Sequence, residues 1–424
     1  MSSLLIKNAS VVSPIYDVVK RQDIYIQDGI IKSIFPDINI TADNVIDAEG
    51  LHAFPGFIDI HVHLRDPGFT HKEDIITGCD AAAAGGITTL VCMANTSPVA
   101  DNTEVLEYII NKAEDAKVKV YPIAAVTKNL EGKELTDFAT LKNAGAIAVS
   151  DDGHPIEDEN VMEKALELAC ELDLPLFSHC EDLKIVKDGI INHGIISEKL
   201  DVPGIHHDSE DNITAREIAL AEKTGAKIHI QHVSTKKSVE LILDAKIRGI
   251  NITAETAPHY FALTEDELLK KDADFRMNPP LRTQEDTEVI LQGLSDGIID
   301  CIVTDHAPHS PEEKADFLTA PNGIVGLETS FAVTLTYLYY KSNFSLMEIA
   351  RLMSQNAGII LDIPHCIMQE GCIADIALVD INKKWTVDPQ QFRSKSRNTP
   401  FKGQELTGKV ITTIKNGEII YWGL

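Results

Sequence analysis

The 424-residue sequence is 44% hydrophobic and 24% charged, ordinary for a globular enzyme and long enough for one large domain plus a small one. Its net charge of −27 argues against nucleic acid or an acidic membrane surface as a partner, and no run of about 18 apolar residues offers a membrane span. The seven cysteines are scattered without a Cys-x-x-Cys pair, several of them within apolar stretches (Cys92, Cys170, Cys301), which reads as reduced core residues of a cytoplasmic protein.

The chain opens without a basic segment leading into an apolar core, so no signal peptide is expected. Residues 4–9, 23–27 and 30–34 are strand-like, with Asp28-Gly29 as a hairpin turn. The pattern returns at the other end, where residues 374–380 and 410–415 read as strands and Asn416-Gly417 is the matching turn. The two ends are expected to pair into one small β-sandwich made of residues 1–51 and 366–424.

Between them, over residues 52–365, the pattern changes to strand, loop, helix, repeated. The first strand spans residues 54–60 and is opened by Pro55 and Gly56. Further apolar strands follow at 86–93, 118–124, 146–150, 174–178, 227–231, 250–255 and 299–304. Amphipathic helical segments alternate with them, as at 160–171, 211–223 and 236–248. Eight such units predict an α/β fold, a distorted (β/α)8 TIM barrel carrying the small β-sandwich domain built from both termini.

A barrel of this kind places its chemistry at the C-terminal ends of its strands. His61 and His63 stand at the end of the first strand, and period-two alternation points them the same way. Asp151-Asp152-Gly153 ends the fourth strand, His179 the fifth, His232 the sixth and Asp305 the eighth. Cys180 is adjacent to His179 on a strand and is expected to face the core. One histidine at a strand end is usually a hydrogen-bonded loop residue. Four histidines and two carboxylates at five strand ends are too many for one tetrahedral zinc, and they suit two metals sharing a carboxylate. Arg65, one step beyond His63 on the same face, adds a cation suited to an anionic substrate.

The stretches Asp59-Ile60-His61-Val62-His63-Leu64-Arg65-Asp66-Pro67 and Thr304-Asp305-His306-Ala307-Pro308-His309-Ser310-Pro311-Glu312-Glu313-Lys314 resemble the two signatures of the dihydroorotase family. The bacterial class I (long-chain) branch, within the amidohydrolase superfamily, matches best. The order and spacing of the strand-end ligands extend the resemblance over nearly the whole chain. It implies reversible, zinc-dependent hydrolysis of the cyclic amide of dihydroorotate to N-carbamoyl-aspartate, a step of pyrimidine biosynthesis. It also implies two zinc ions bridged by Asp152 and a hydroxide, with His61, His63 and Asp305 holding one ion and His179 and His232 the other. Asp305 is then also the catalytic proton shuttle. Relatives such as dihydropyrimidinases bridge with a carboxylated lysine on the fourth strand. This chain has Asp151-Asp152 there, and the class I pattern assigns the bridge to Asp152, leaving Asp151 to orient the loop.

By the same resemblance, Arg65 and Asn95 bind the substrate carboxylate, Asn278 and His309 bind ring polar groups or the carboxylate, and backbone near Asn322-Gly323 closes over the ring. His259 is left open between a partner of the ligands and a structural residue. His154 and His206-His207 have no motif context and are expected to be solvated. Ala94, where proline is common in the family, is not expected to affect the chemistry. Homodimerisation and association with an aspartate transcarbamoylase are the partner modes that the resemblance allows. Two other readings compete. One is another cyclic amidase, such as an allantoinase or a dihydropyrimidinase (hydantoinase), against which Arg65, Asn95 and the absent lysine weigh. The other is a non-catalytic scaffold for aspartate transcarbamoylase, which should have lost ligands that this chain retains.

Overall fold

The computed structural model describes residues 3–423. The alternation read in the sequence closes into a barrel of short parallel strands. Phe57–Val62, Ile87–Cys92 and Lys119–Pro122 pair in order. A bridge between Ala124 and Val149 joins them to Val149–Ser150. Leu176–Ser178, Ile228–Ile230, Ile252–Thr256 and Cys301–Ile302 continue the sheet. A bridge from Val62 to His306 closes the ring, with His63 N donating to His306 O at 2.8 Å. The distortion lies in the first strand, whose register against the second shifts twice.

The barrel interior is filled by Ile58, Ile60, Val91, Ile123, Phe177 and Val303, among others. Asn356–Leu361 closes its N-terminal end. There Asn356 donates to Asp300 O and Ser354 to Gly56 O, at 2.7 Å each, and Leu361 packs into the same core. The outer layer holds the amphipathic helices at Glu159–Glu171, Asp208–Thr224, Lys236–Ile247 and Gln284–Ser295. Their capping follows sequence rules: Asp158 and Thr235 accept from first-turn amides, and Thr283 with Asp286 forms a capping box. Cys170, near the end of the first of these helices, is exposed. The expectation that it lies in an apolar interior is therefore wrong, because the apolar residues around it belong to the opposite face of an amphipathic helix. Among the described residues no helix is long and apolar enough to cross a membrane.

Both termini share one eight-stranded sheet. Its order is Glu418–Trp422, Glu405–Lys415, Ile376–Thr386, His52–Pro55, Ser3–Ser13, Val18–Gln27 and Ile30–Phe35, with Asn44–Asp47 beside Ser3–Ser13. It builds the β-sandwich around a separate apolar core that includes Ile6, Val11, Ile24, Ile31, Ile376 and Ile414. The two turns read as a matching pair touch each other. Asp28, Gly29, Asn416 and Gly417 all have φ between 50° and 76°, and a Cβ on Gly29 would lie 2.9 Å from Asn416 O. Glycine is needed there both for its conformation and for the close approach. His52–Pro55 pairs with Ser3–Ser13 on one side and Ile376–Thr386 on the other. Gly56 follows, and the chain passes directly into the first barrel strand. The splice between the two termini therefore sets the entry of the strand that carries His61 and His63.

Candidate metal centre

The six side chains singled out at strand ends meet at the C-terminal mouth of the barrel, and all are buried. The Asp152 carboxylate lies among them. Its Oδ2 is 3.4 Å from His63 Nε2, and its Oδ1 is 3.4 Å from His61 Nε2 and 3.6 Å from both His179 Nδ1 and His232 Nε2. Asp305 Oδ1 is 3.1 Å from His63 Nε2 and 3.6 Å from His61 Nε2. His179 Nδ1 and His232 Nε2 are 2.7 Å apart. The set therefore has two halves, His61–His63–Asp305 and His179–His232, with Asp152 facing both.

These residues fit a divalent metal. His61 Nε2 and Asp152 Oδ1 are buried with no hydrogen-bond partner among the described residues. Each such atom costs about 1–3 kcal/mol unless something satisfies it. Ligand atoms of His61, His63 and Asp305, and of His61, Asp152 and His232, lie within 4.8 Å of one another. Imidazole nitrogen with carboxylate oxygen is a donor set that suits zinc. The local electrostatics ask for positive charge. Burial opposes ionisation of Asp152, but the imidazoles of His61, His179 and His232 close around it outweigh burial and hold the carboxyl well below its usual range. Burial likewise opposes a charged His179, yet the nearby carboxylates of Asp152 and Glu181 raise it to about 10.

Partners behind the cluster decide which ring nitrogen points inward. Glu255 Oε1 is 2.5 Å from His61 Nδ1, leaving Nε2 toward the centre. Asn95 Oδ1 is 2.9 Å from His63 Nδ1, with the same result. Glu181 Oε2 is 3.1 Å from His179 Nε2, which turns Nδ1 inward. Behind these, His229 Nε2 is 3.0 Å from Glu255 Oε2, and Gln231 bridges Ser150 and His61 at 3.1 and 3.2 Å. Asp59 accepts from the Thr304 hydroxyl at 2.6 Å and from the His61 amide at 3.2 Å, tying the first strand to the eighth. Sequence reading missed Glu255, Glu181, Gln231, His229 and Asp59 in these roles. The available signal was a charged or polar side chain inside an otherwise apolar strand, as with Glu255 at the end of the seventh.

Asp151 faces away. It accepts from Val126 N at 2.7 Å and Thr127 N at 3.0 Å, and from the Thr127 hydroxyl. Burial pushes its carboxyl up to about 6. Three site residues have positive φ: Arg65 at 60°, His232 at 32° and Asp305 at 48°. A non-glycine residue in that region stores roughly 1–3 kcal/mol, and such strain concentrates at functional sites. Cys180 is buried 3.7 Å from Ser178 O, away from the cluster, and burial lifts its thiol to about 12.

The cluster floors an open cavity of about 420 Å³, which Arg65, Asn95, Asn278, His309, Asn322 and Gly323 also line. Arg65 Nε donates to Pro308 O at 3.2 Å, and its Nη2 is 3.5 Å from His309 Nε2. His309 Nε2 donates to Asn322 O at 2.9 Å. Burial and then the cations Arg65, Lys72 and Lys314 hold His309 down near about 3. This wall is thus locally cationic within a chain of net charge −27. Lys314 Nζ donates to Arg276 O, Pro321 O and Gly323 O at 3.3, 3.0 and 3.1 Å, fixing the loop that carries Asn322 and Gly323. Asn278 donates to Glu181 Oε1 at 3.0 Å, so it connects cavity and cluster.

The remaining histidines divide. His259 is buried against Tyr260 with ring centroids 4.2 Å apart, and burial lowers it to about 4. His206 is solvated as expected, and His154 is exposed but stands on the cavity wall. His207 is half-buried rather than solvated, drawn in by Asp286 at 3.6 Å.

A (β/α)8 barrel whose mouth gathers strand-end histidines and aspartates, joined to a β-sandwich built from both termini, defines a metal-dependent amidohydrolase. Residues 51–238 match the family model described as Dihydro-orotase-like. The chain is 46% identical over 420 residues to a dihydroorotase of Syntrophotalea carbinolica, covering 99% of each chain. It is 45% identical over 419 residues to a dihydroorotase of Acetivibrio thermocellus, covering 98% of each. This chain belongs to the dihydroorotase family. Among solved structures it resembles L-hydantoinase (dihydropyrimidinase) from Arthrobacter aurescens, with a TM-score of 0.87 at 25% identity over 99% of this chain and 96% of that one. D-hydantoinase from Thermus sp. gives a TM-score of 0.84 at 25% identity over the same shares.

Proposed function

We propose that this protein catalyses the reversible hydrolysis of dihydroorotate to N-carbamoyl-aspartate. The observation that carries this reading is the meeting of two walls in one cavity, a complete histidine–aspartate cluster and a cationic face around Arg65. His61, His63 and Asp305 would hold one zinc ion and His179 and His232 a second, with Asp152 the residue placed to be shared. Bound there, the ions supply an acidified water nucleophile and polarise the ring carbonyl.

The chain's own groups do the rest. Burial disfavours the charged form of Asp305, but His61 and His63 outweigh it and hold the carboxyl at about 2, so at neutral pH it is ionised, with room for the proton that the nucleophile releases. It takes that proton during attack and delivers it to the leaving ring nitrogen. In ring closure it removes a proton from the ureido nitrogen, as microscopic reversibility requires. Arg65 pairs with the substrate carboxylate through a charge-assisted hydrogen bond. Asn95, Asn278 and His309 add polar contacts, and the backbone at Asn322-Gly323 closes over the ring.

The hydantoinase likeness favours the same architecture without favouring a neutral ring. The fourth strand end carries Asp152 and no lysine, and the cationic wall has no purpose for an uncharged substrate. A cytoplasmic site of action accords with cysteines that are all free in the described residues. The test is metal content beside turnover of dihydroorotate and of neutral cyclic ureides on one purified sample. Zinc near two equivalents with turnover of dihydroorotate is expected. Metal-loaded protein that opens only neutral rings would sink this reading, and metal-free protein would revive the scaffold.

A further inference from the structure

Residues 393–399 leave the terminal sheet and run as a strap along the loops that follow the first and eighth barrel strands. On one side the strap grips the loop after the first strand. Ser394 Oγ donates to Glu73, Lys395 N donates to Glu73 Oε1 at 3.2 Å, and Ser396 Oγ donates to Lys72 O at 2.8 Å. On the other side it holds the loops after the eighth strand, and there Asn398 makes the contacts. Its Oδ1 accepts from His309 N at 3.2 Å. Its Nδ2 donates to Ala307 O at 3.2 Å and Gly323 O at 3.0 Å. Its own carbonyl accepts from Val325 N at 2.9 Å. Asn398 is 4% exposed, so this bracket works away from water.

A side-chain amide is the group that offers one acceptor and two donors on so short a stem. The segments it joins are in close contact: a Cβ on Gly323 would lie 2.6 Å from Ala307 Cβ and 3.2 Å from His309 Nε2. The spacing of His309 and Gly323, both on the cavity wall, is therefore set from behind. We infer that Asn398 is a positioning residue for the substrate carboxylate, holding His309 and the Gly323 loop in the relation to Arg65 that the anion requires. The inference rests on the dihydroorotase reading. It makes the terminal segment a part of substrate recognition, although no residue of the strap lines the cavity.

Removing the amide strands the His309 N–H and two carbonyls, and the loops shift to satisfy them. Of the cluster only Asp305 neighbours these loops, and it makes no contact with Asn398, so the chemistry should be largely spared. The experiment compares Asn398→Ala and Asn398→Asp with the parent for bound zinc, melting temperature, and kcat and KM on dihydroorotate. Competition by orotate, and by uracil as the carboxylate-free control, is read alongside. Asn398→Ala should raise KM and the inhibition constant of orotate by roughly 5- to 30-fold. Zinc content, kcat and the weak binding of uracil should stay near parental values. Asn398→Asp keeps the acceptor toward His309 but sets a buried carboxylate oxygen against the Ala307 and Gly323 carbonyls, so it should weaken orotate at least as much as Asn398→Ala. An unmoved KM, a loss confined to kcat, or equal weakening of orotate and uracil would overturn the inference. So would failure of both variants to fold with metal, which would make Asn398 structural. A parent that does not hydrolyse dihydroorotate overturns the functional reading and this inference together. An active parent with an unmoved Asn398→Ala overturns the inference alone.

Discussion

The wall that gathers the proposed metal ligands and the wall proposed to face the substrate's anion belong to one cavity but stand on different parts of the fold. The ligands sit at strand ends, and sheet pairing fixes their backbone. Buried partners such as Glu255, 2.5 Å from His61, fix their side chains. The anion wall stands on loops, and its shape depends on tethers: Lys314 on Gly323 O at 3.1 Å and Asn398 on the same oxygen at 3.0 Å. A metal cluster tolerates little misplacement, so rigid elements carry it. A carboxylate can be held by longer-range charge, so loops suffice. Changes in the first wall should therefore appear in metal content and kcat, and changes in the second in KM.

The sharpest break of that comparison is Asp152→Ala. It should lose metal and turnover together, whereas Asp151→Ala should keep both and lower stability by loosening Val126 and Thr127. Metal analysis with activity decides, and the reverse ranking would mean that the wrong aspartate has been placed at the centre. Next in size is Asp305→Asn, which keeps an oxygen ligand but cannot carry the proton. It should retain much of its zinc and lose roughly 10²–10⁴-fold in rate in both directions. A zinc-loaded variant with near-normal turnover would leave Asp305 only a ligand.

Arg65→Met tests the other wall. It should cost about 10- to 150-fold in kcat/KM with metal intact, and unchanged kinetics would show that another group holds the carboxylate. Glu255→Gln sharpens the first wall from behind, by weakening the carboxylate that orients His61. Zinc affinity should drop about 10- to 100-fold, with KM for dihydroorotate on the fully loaded enzyme little changed.

The smallest effect is a pH dependence. Burial lowers Lys314 from 10.5 to about 8, against the nearby carboxylates Asp274 and Asp272. Above about pH 8 it loses its charge in the folded protein, so KM for dihydroorotate should rise there, and Lys314→Gln should lack that limb. The stability sign is the opposite. Between about 8 and 10.5 the unfolded chain holds the proton that the folded one has released, so this group's contribution to stability rises with pH across that window. Denaturation midpoints of parent and Lys314→Gln at pH 7 and pH 10 give the comparison.

Much of this was legible in the residues. The alternation of apolar strands with amphipathic helices announced the barrel, and the helix near residues 236–248 is observed at Lys236–Ile247. The turns Asp28-Gly29 and Asn416-Gly417 announced that the ends belong together, although nothing local said that they touch. His61, Asp152, His179, His232 and Asp305 could be listed because strand ends are short-range features. Glu255 could not be tied to His61, because the two are 194 residues apart. Asn398 sits in an irregular stretch whose partner Gly323 lies 75 positions away, and no periodicity marks it.

The sequence by itself determined the donor set: four imidazoles and two carboxylates in an order that strand-end placement makes convergent, with an arginine beside them. That much follows from side-chain chemistry and a period of two, both local. The family resemblance pointed to Asp152, but the physical reason that it and not Asp151 turns inward, which nitrogen each ring presents, and what holds the loop wall lie only in the tertiary structure. Asp151 and Asp152 are equivalent in composition and neighbours in the chain. They differ because barrel closure puts the Val126 and Thr127 amides on one side and His61, His63, His179 and His232 on the other.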